Sequence, residues 1–566
     1  MQMKRASLAV LILACILNQS VFSEESGTMK MKLVVNDKVI GKVDDRLFGQ
    51  FMEKAGVGEP GPEHIFIPGT EQFQPKAVEL LKAMKIPVIR FPAGTTIDYI
   101  DWRDAVNNVP GRGKDRRNSV DHQGKEMTNK FGYDDYFKIR DELKCETILV
   151  LNLLDGLSRK VPLEEAVTNA TGLVAYANAP IGAKLPEGMP DWPSVRKANG
   201  HPEPYKAEYI QIGNEWWIGR FTDAVKAGTG LKSQQELATW YIECLKKYLE
   251  KIRAIDPSVK IIIDGKLGLG SAVEGAVFGD PYIKKNVDFL TYHTYAPGKM
   301  DDIKLDGAPY GKITSEELWK NWVSMPGHFS DKGENIGFDD EIIVATSLGY
   351  RVVSTEWNWN GWGLKNIVPK PEITHFLAAQ LGAAGFLHGL MRQGNDIDLA
   401  TQSMLIGSGW GIASIRLDRE GKKDACYNPQ GQATMFYSNH HGNKLHDISI
   451  SGNQTYEQPY QNSWSPPKKK VAYADMLVTS TPDKIFIHII NRSFKDKLVL
   501  DIDSSALGKL ADEAVQYSLE GEMDYDYSSF TTISRITETK IPVKDGKLAV
   551  ELVRGRISIV EIERKK

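Results

Sequence analysis

The chain has 566 residues, 42% of them hydrophobic and 25% charged, and its mean hydropathy is −0.33. This balance excludes intrinsic disorder and collagen-like structure, and the length allows two large domains or more. Lysine and arginine number 70 against 73 aspartates and glutamates, so the net charge of −3 offers no general attraction for nucleic acid or an anionic membrane. We therefore expect a neutral or weakly charged partner.

The N-terminus has the three parts of a secretory signal peptide. Two basic residues, Lys4 and Arg5, precede an apolar stretch over residues 6–17, and Val21-Phe22-Ser23 carries small residues where a signal peptidase reads the chain. We predict a signal peptide over residues 1–23 and hence a secreted or periplasmic protein. No later run reaches the roughly 18 apolar residues that a membrane-spanning helix needs.

The four cysteines do not form a disulfide framework. They stand at positions 15, 145, 244 and 426, and neither they nor the 11 histidines have the spacing of a metal site. Cys15 ends the run Ile12-Leu13-Ala14-Cys15, a loose lipobox, so that a lipoprotein anchored through Cys15 is the alternative to a cleaved signal. We predict chemistry without a metal or another cofactor.

The middle of the chain alternates short β-branched runs with longer amphipathic stretches, which is typical of a βα-repeating sheet or barrel. The predicted strands are Leu47–Met52, Ile86–Phe91, Thr147–Asn152, Tyr209–Ile212, Lys260–Asp264, Phe289–His293, Arg351–Glu356 and Ile397–Gln402. Helical spacing of apolar residues predicts helices between them, such as Gln74–Met84, Tyr133–Leu143, Leu163–Ala177, Ser233–Ile255 and Thr374–Leu390. Eight such units predict a (β/α)₈ TIM barrel over residues 47–416. The alternative, a doubly wound open sheet, lacks the glycine-rich phosphate loop expected at its first strand-to-helix turn.

After residue 416 the helical periodicity disappears and short alternating strands follow. The predicted strands are Val471–Val478, Lys484–Asn491, Lys497–Ile502, Ala514–Leu519, Lys547–Leu552 and Arg556–Glu563, with turn signals such as Asp545-Gly546 between them. They predict an all-β sandwich over residues 417–566. The N-terminal segment 24–46 is strand-like over Lys30–Ile40, and we expect it to join that sandwich.

Two predicted barrel strands end in a glutamate. The fourth strand leads into Gly213-Asn214-Glu215-Trp216-Trp217, and the seventh leads into Glu356-Trp357-Asn358-Trp359. Barrel enzymes place their chemistry at the C-terminal strand ends, and two carboxyl groups facing each other across a cleft can cleave a glycosidic bond. Five of the 12 tryptophans lie within seven residues of Glu215 or Glu356, where their flat faces suit sugar rings. We therefore predict a catalytic pair, the alternative being solvated strand ends beside core tryptophans.

These motifs resemble clan A glycoside hydrolases and specifically glycoside hydrolase family 51, the α-L-arabinofuranosidases. Ile-Gly-Asn-Glu at the fourth strand and Thr-Glu-Trp-Asn at the seventh carry the resemblance. Further similar motifs fall in the family's order: Phe48-Gly49-Gln50-Phe51-Met52-Glu53, Ile89-Arg90-Phe91-Pro92-Ala93-Gly94, Trp102-Arg103-Asp104, Asn129-Lys130-Phe131-Gly132, His293-Thr294-Tyr295 and Leu399-Ala400-Thr401-Gln402. The resemblance spans nearly the whole chain after the predicted signal.

The resemblance implies a retaining double displacement that releases terminal α-L-arabinofuranosyl groups from plant-type polysaccharides or oligosaccharides. It makes Glu215 the general acid/base and Glu356 the nucleophile. The residues it implies in substrate binding or in support of the carboxylates are Glu53, Arg90, Asn214, His293, Tyr295, Trp357 and Gln402. It also implies homo-oligomers and no cofactor.

Two departures from the family pattern bear on specificity. Ala93-Gly94-Thr95 stands where the family has Gly-Gly-Asn, and Glu53-Lys54 stands where it has Glu-His. Neither departure touches the two glutamates, so they bear on the sugar that is bound and not on the mechanism. Another clan A activity, an endo-β-glucanase or a β-xylosidase, is therefore the first alternative. A non-catalytic carbohydrate-binding protein is the second.

Overall fold

The computed structural model of the chain describes residues 27–109, 116–299, 313–324, 338–362 and 373–565. The predicted signal peptide and Cys15 lie outside the described residues. The strands are β1 Thr28–Lys42, β2 Gly49–Phe51, β3 Val88–Phe91, β4 Ser119–Val120, β5 Glu126–Met127, β6 Glu146–Leu151, β7 Tyr209–Ile212, β8 Lys260–Asp264, β9 Phe289–Lys299, β10 Arg351–Trp362, β11 Ile397–Ser403, β12 Ile406–Gly407, β13 Ile415–Arg416, β14 Cys426–Tyr427, β15 Lys444–Ser451, β16 Thr455–Gln458, β17 Lys468–Ala472, β18 Ala474–Ser480, β19 Lys484–Asn491, β20 Lys497–Asp503, β21 Leu510–Gly521, β22 Ser534–Pro542, β23 Lys547–Leu552 and β24 Arg556–Arg564.

The helices of the described residues lie mostly between the barrel strands. They are α1 Pro75–Ala83, α2 Tyr133–Leu143, α3 Leu154–Leu157, α4 Leu163–Asn178, α5 Trp192–Ala198, α6 Arg220–Thr229, α7 Gln234–Ile255, α8 Ser271–Phe278, α9 Pro281–Asn286, α10 Ser315–Val323, α11 Phe338–Ser347, α12 Phe376–Arg392 and α13 Pro429–Asn439. None of them is long and apolar enough to cross a membrane.

Eight parallel strands close into a barrel, in the order β2-β3-β6-β7-β8-β9-β10-β11. Each of the eight coincides with a predicted strand, so the TIM barrel is confirmed. The inner strands are buried on both faces, as β7 with Tyr209–Ile212 shows, because side chains fill the barrel on one side and helices cover the other. Between β9 and β10 the register sets Glu356 opposite His293, which brings two predicted site residues side by side.

The C-terminal domain is mostly β, as predicted. Nine strands form one continuous sheet in the order β22-β21-β24-β19-β18-β15-β1-β20-β23. The N-terminal strand β1 lies inside this sheet, antiparallel to β15 and parallel to β20. Apolar residues from both ends of the sheet, such as Leu500 and Ile541, share one core with Leu33 and Ile487. The sheet therefore folds over on itself.

Helix α13, Pro429–Asn439, corrects the prediction that helical structure ends near residue 416. It follows the eighth barrel strand and packs against α12. Its buried face is polar: Gln432 accepts a hydrogen bond from Gln380 at 2.9 Å, and Thr434 donates to Gln402 at 2.7 Å. Because hydrogen bonds replace apolar packing on that face, the helix shows no hydrophobic period in the sequence.

Candidate active site

The C-terminal ends of the barrel strands bring most of the predicted site residues into one cluster. Parallel strands in a closed barrel all end at the same rim, so residues far apart in sequence meet there. The cluster contains Glu53 after β2, Arg90 on β3, Asn214 and Glu215 after β7, His293 and Tyr295 on β9, and Glu356 on β10.

Glu356 is held by two strong donors. Arg90 Nη1 donates to Oε1 at 2.6 Å, and the Tyr295 hydroxyl donates to Oε2 at 2.7 Å. Burial raises the pKa of Glu356, but the charges of His293 and Arg90 and the hydrogen bonds from Tyr295 and Arg90 outweigh it, so the pKa is lowered overall. The Glu356 side chain keeps 8% of its surface exposed. It is therefore an ionised carboxylate with access to the cleft.

Arg90 joins Glu356 to the next strands of the barrel. The fully buried guanidinium donates to Gln211 Oε1 at 3.0 Å and to Asn214 Oδ1 at 2.6 Å, besides its bond to Glu356. Its planar fork suits three acceptors in fixed directions, which a lysine could not satisfy. With its oxygen occupied, the amide of Asn214 turns its Nδ2 the other way, and this buried donor has no hydrogen-bond partner among the described residues. Asn214 is thus set to donate to a ligand hydroxyl.

Glu215 is the second carboxylate of the site. Its φ of 56° lies in the left-handed region, which a glutamate seldom adopts, and the next residue is fixed by a bond of 3.0 Å from Trp216 N to Asp264 Oδ2. His293 Nδ1 lies 3.0 Å from Glu215 Oε1, and the Thr95 hydroxyl donates to Oε2 at 3.3 Å. The side chain is 16% exposed, twice as much as that of Glu356. Glu215 therefore lies at the cleft wall, and its hydrogen-bond contacts are longer than those of Glu356.

The two carboxylates face each other at close range. One oxygen of Glu215, one of Glu356 and a ring nitrogen of His293 all lie within 4.8 Å of one another. The same three atoms have the geometry of a metal-binding group, but the Arg90 guanidinium 2.6 Å from Glu356 already supplies the compensating positive charge. The arrangement fits two facing acids better than a cation site.

Glu53 closes the cluster from the side of β2. Gly94 N donates to Glu53 Oε1 at 3.3 Å, and a Cβ at Gly94 would lie 3.0 Å from that oxygen and 2.9 Å from Glu356 Oε1. A side chain at position 94 would therefore press on both carboxyl groups. Burial, followed by the negative charge of Glu356, raises the pKa of Glu53 to about 8, although Arg90 and Gly94 N act in the opposite direction. Glu53 is therefore protonated at neutral pH and able to donate a hydrogen bond.

Replacing Glu53 with glutamine is expected to flatten the pH dependence of stability. The pKa of Glu53 is raised from its usual 4.5 to about 8, so between these values the folded chain binds a proton that the unfolded chain releases. The free energy of unfolding therefore falls as the pH rises through this window, and Glu53→Gln removes that contribution. Chemical denaturation between pH 4 and pH 9 measures the slope, with the exposed Glu457→Gln as control. Equal slopes in Glu53→Gln and wild type would contradict a Glu53 that is protonated in the folded chain.

Trp357 and Gln402, two predicted substrate-binding residues, do not reach the cluster. Trp357 is fully buried and packs against Phe386 of α12 at a ring distance of 5.4 Å. Gln402, its neighbour across β10 and β11, is also fully buried, and its Oε1 accepts hydrogen bonds from Gln50 and Thr434. Both side chains point to the helices outside the barrel, so the structure corrects their expected role.

The other tryptophans near the glutamates also belong mainly to the core. Trp216 packs against Phe221 and Tyr241, and Trp359 is buried with its Nε1 donating to Trp322 O at 3.0 Å. Trp217 is partly exposed and meets His293 edge-on at 5.2 Å. The side chain of Trp362 lies outside the described residues. Of the described tryptophans clustered around the two glutamates, only Trp217 faces the site.

Three contributors were not predicted as site residues. Thr95 bonds Glu215, Ser403 Oγ lies 2.8 Å from the Tyr295 hydroxyl, and Asp264 fixes the backbone after Glu215. Burial raises the pKa of Asp264 to about 7, and its Oδ1 has no hydrogen-bond partner among the described residues. Ser403 and Asp264 are the last residues of β11 and β8, so the strand-end rule that found the glutamates would have found them too.

An open cavity elsewhere in the chain does not contain these residues. Its volume is about 1040 Å³, and loops carrying Glu63, Arg116 and Arg419 line it. None of the clustered acids, nor Arg90 or His293, lines this cavity. The ionisable side chains therefore identify the strand-end cluster, and not this cavity, as the candidate active site.

Comparison with known proteins finds relatives of one kind. Residues 80–302 match the model of the α-L-arabinofuranosidase 1 domain. An intracellular exo-α-(1→5)-L-arabinofuranosidase of Bacillus subtilis is 26% identical over 281 residues, which cover 47% of this chain and 48% of that protein. A second such protein, from Streptomyces lividans, is 23% identical over 551 residues, covering 91% of this chain and 72% of its own length. The match thus spans about half the length of the first relative and more of the second.

A solved structure extends the agreement to the fold. The family 51 α-L-arabinofuranosidase of Thermotoga petrophila superposes with a TM-score of 0.66 at 21% identity, over 94% of this chain and 99% of that one. In sequence and fold the chain is thus similar to the α-L-arabinofuranosidases, which include those of glycoside hydrolase family 51. In this protein Glu215 follows the fourth strand of the barrel and Glu356 lies on the seventh, as the sequence motifs predict.

Proposed function

We propose that this protein is a retaining α-L-arabinofuranosidase. The observation that carries the proposal is the facing pair, with one oxygen of Glu215 and one of Glu356 within 4.8 Å. Carboxyl groups about 5 to 5.5 Å apart suit attack by one acid on the sugar carbon, whereas inverting enzymes hold theirs about 6.5 to 9.5 Å apart to admit a water molecule. The close pair supports double displacement.

The partners of the two acids assign their roles. Glu356 accepts hydrogen bonds from Arg90 and Tyr295 and is ionised, so it is the nucleophile. In the first half-reaction a Glu356 oxygen bonds to the anomeric carbon while the glycosidic bond breaks, and Glu215 gives its proton to the departing oxygen. The product is a glycosyl ester on Glu356 together with the free alcohol.

The second half-reaction uses the same residues. Glu215, now a carboxylate, takes a proton from water, the oxygen of that water bonds to the anomeric carbon, and the ester bond to Glu356 breaks. Asn214, with its free Nδ2, is placed to donate to the sugar 2-hydroxyl, a bond that strengthens as positive charge develops on the ring. Protonated Glu53 supplies a further donor.

The substrate class comes from the relatives. The Bacillus subtilis and Streptomyces lividans relatives are named exo-α-(1→5)-L-arabinofuranosidases. We propose the same sugar for this chain, as terminal arabinofuranosyl groups on plant-type polysaccharides or oligosaccharides. The net charge of −3 agrees with a neutral glycan, which needs no electrostatic attraction.

A panel of nitrophenyl glycosides tests the sugar, and proton NMR tests the stereochemistry. We expect turnover of the α-L-arabinofuranoside well above that of the β-glucoside and β-xyloside, with the first sugar released in the α configuration of the substrate. Activity confined to the β-glycosides would favour an endo-β-glucanase or β-xylosidase. Release of the β anomer would contradict the double displacement, and no turnover of any glycoside would favour a binding protein.

Export is proposed on residues 4–23 alone, since this segment lies outside the described residues and relatives are named intracellular. If the segment is a signal, N-terminal sequencing of the mature protein should begin at Glu24. A lipid-modified N-terminus at Cys15 would support the anchored form instead. An intact N-terminus in the cytoplasmic fraction would contradict export.

A further inference from the structure

A hairpin of the C-terminal domain docks on the barrel close to the active site. Its strands are β16 and β17, and it contacts the α10 region through three side chains. The hydroxyl of Tyr456 donates to Lys320 O at 3.0 Å, that of Tyr460 donates to Glu317 Oε1 at 2.9 Å, and Lys468 donates to Ser324 O. Because all three of these side chains are buried, the hairpin is fixed to the barrel.

The tip of this hairpin reaches the end of β9. Within the tip, Asn462 N donates to Ser465 O at 2.9 Å, and Trp464 N donates to Pro297 O on β9 at 3.3 Å. Gly298 beside that contact has a φ of 90°, and a Cβ there would lie 2.9 Å from Trp464 Cδ2. A residue other than glycine would push the indole away. The chain therefore brings Trp464 as close to β9 as the backbone allows.

Trp464 lies beside Tyr295, a residue of the catalytic cluster. Its ring lies 6.2 Å from the ring of Tyr295, whose hydroxyl bonds Glu356. Yet 45% of Trp464 is exposed, whereas Trp216, Trp357 and Trp359 near the glutamates are buried. The Tyr295 ring thus lies between the partly exposed Trp464 and the nucleophile. Tryptophan combines a broad apolar face with a polar N–H, and these features recur where neutral ligands bind.

We propose that Trp464 is a platform for the sugar on the leaving-group side of the scissile bond, so that the C-terminal domain supplies part of the substrate site. The proposal rests on the proposed function and extends it. Glu53, Asn214 and the two catalytic acids surround the position of the sugar being transferred. An indole beyond Tyr295 can therefore reach only the next pentose unit, whose C–H face is apolar. The ligand class is a neutral oligosaccharide of at least two units.

Direct binding tests the platform without turnover. Isothermal titration with α-1,5-linked arabinotriose compares Glu356→Gln with the double variant Glu356→Gln/Trp464→Ala. We expect Kd to rise about tenfold in the double variant, the effect of losing one aromatic contact. Trp464→Phe should recover part of the affinity, because it keeps an aromatic face. The control Val553→Ala removes another exposed apolar side chain, 53% exposed, and should leave Kd unchanged.

Kinetics then separate this proposal from the proposed function. In the otherwise wild-type chain, we expect Trp464→Ala to lower kcat/KM for arabinotriose about fivefold more than for nitrophenyl α-L-arabinofuranoside, mainly through KM. Equal loss on both substrates, or an unchanged Kd in the titration, would overturn the platform. A wild-type chain that does not cleave either arabinofuranoside would contradict the proposed function, while the titration still decides the platform. Failure of Glu356→Gln to bind arabinotriose would overturn the platform for this sugar.

Discussion

Replacing Glu356 with glutamine is expected to lower kcat on every glycoside by about 10⁴-fold or more, because an amide cannot form the glycosyl ester. Glutamine has nearly the same shape and keeps an oxygen for Arg90 Nη1, so the loss should be chemical and not structural. Nitrophenyl α-L-arabinofuranoside is the substrate for the measurement, since its good leaving group needs little protonation and isolates the role of the nucleophile.

Stability must be followed in the same variant, because it removes the negative partner of a buried guanidinium. Breaking a buried pair costs about 3 to 5 kcal/mol when the remaining charge has no other acceptor. Here Gln211 and Asn214 still accept from Arg90, so we expect a smaller cost and a folded protein. Circular dichroism and the thermal unfolding midpoint check this expectation.

A matched control separates chemistry from burial. Glu208 precedes β7 at the opposite end of the barrel, where its carboxylate accepts a bond of 2.7 Å from Thr147 N. Glu208→Gln makes the same chemical change at a structural position and should keep nearly full activity. If Glu356→Gln retained more than about 1% of kcat, Glu356 could not be the nucleophile.

The barrel and its glutamates could be predicted because two simple regularities hold along the chain. Eight β-branched runs alternate with amphipathic helices, and every parallel strand of a barrel ends at the same rim. Glu215 comes shortly after one such run and Glu356 ends another, so the sequence predicts that both lie at this rim. Arg90 on β3 and His293 on β9 were expected there from the family resemblance, and the same rim brings them to the two glutamates.

Proximity in sequence to the glutamates does not place the tryptophans beside them in space. Successive residues of a strand point to opposite faces, so Glu356 in the cleft requires Trp357 to point towards the helices. Gln402 follows the same rule: Ser403, next to it on β11, contacts Tyr295, while Gln402 faces α13. Strict use of the strand period would have removed both residues from the predicted site.

Other features lay beyond any local pattern. Helix α13 buries glutamines that bond to residues more than 25 positions away, so its pattern looks polar and irregular. Trp464 lies 169 positions after Tyr295 and in another domain, and only the docked hairpin brings them together. Contacts of this kind depend on how the two domains pack, which periodicity does not encode.

Replacing Glu215 with alanine is expected to discriminate between leaving groups. Loss of a general acid costs about 10²- to 10⁴-fold when the departing oxygen must be protonated, and much less when it leaves as a stable anion. For Glu215→Ala we therefore expect kcat/KM to fall far more on arabinotriose than on nitrophenyl α-L-arabinofuranoside.

The deacylation step gives the second part of this prediction. Without Glu215 no base activates water, so the ester on Glu356 should accumulate and appear as a burst of nitrophenol followed by a slow steady state. Azide needs no base and is small enough to occupy the space that the carboxylate leaves, so it should restore turnover and give arabinofuranosyl azide with the α configuration. The azide product keeps the configuration of the substrate only if Glu356 has already inverted it once. Proton NMR of that product therefore tests both glutamates in one experiment: a β azide would contradict the double displacement, and an absent burst would contradict Glu215 as the base.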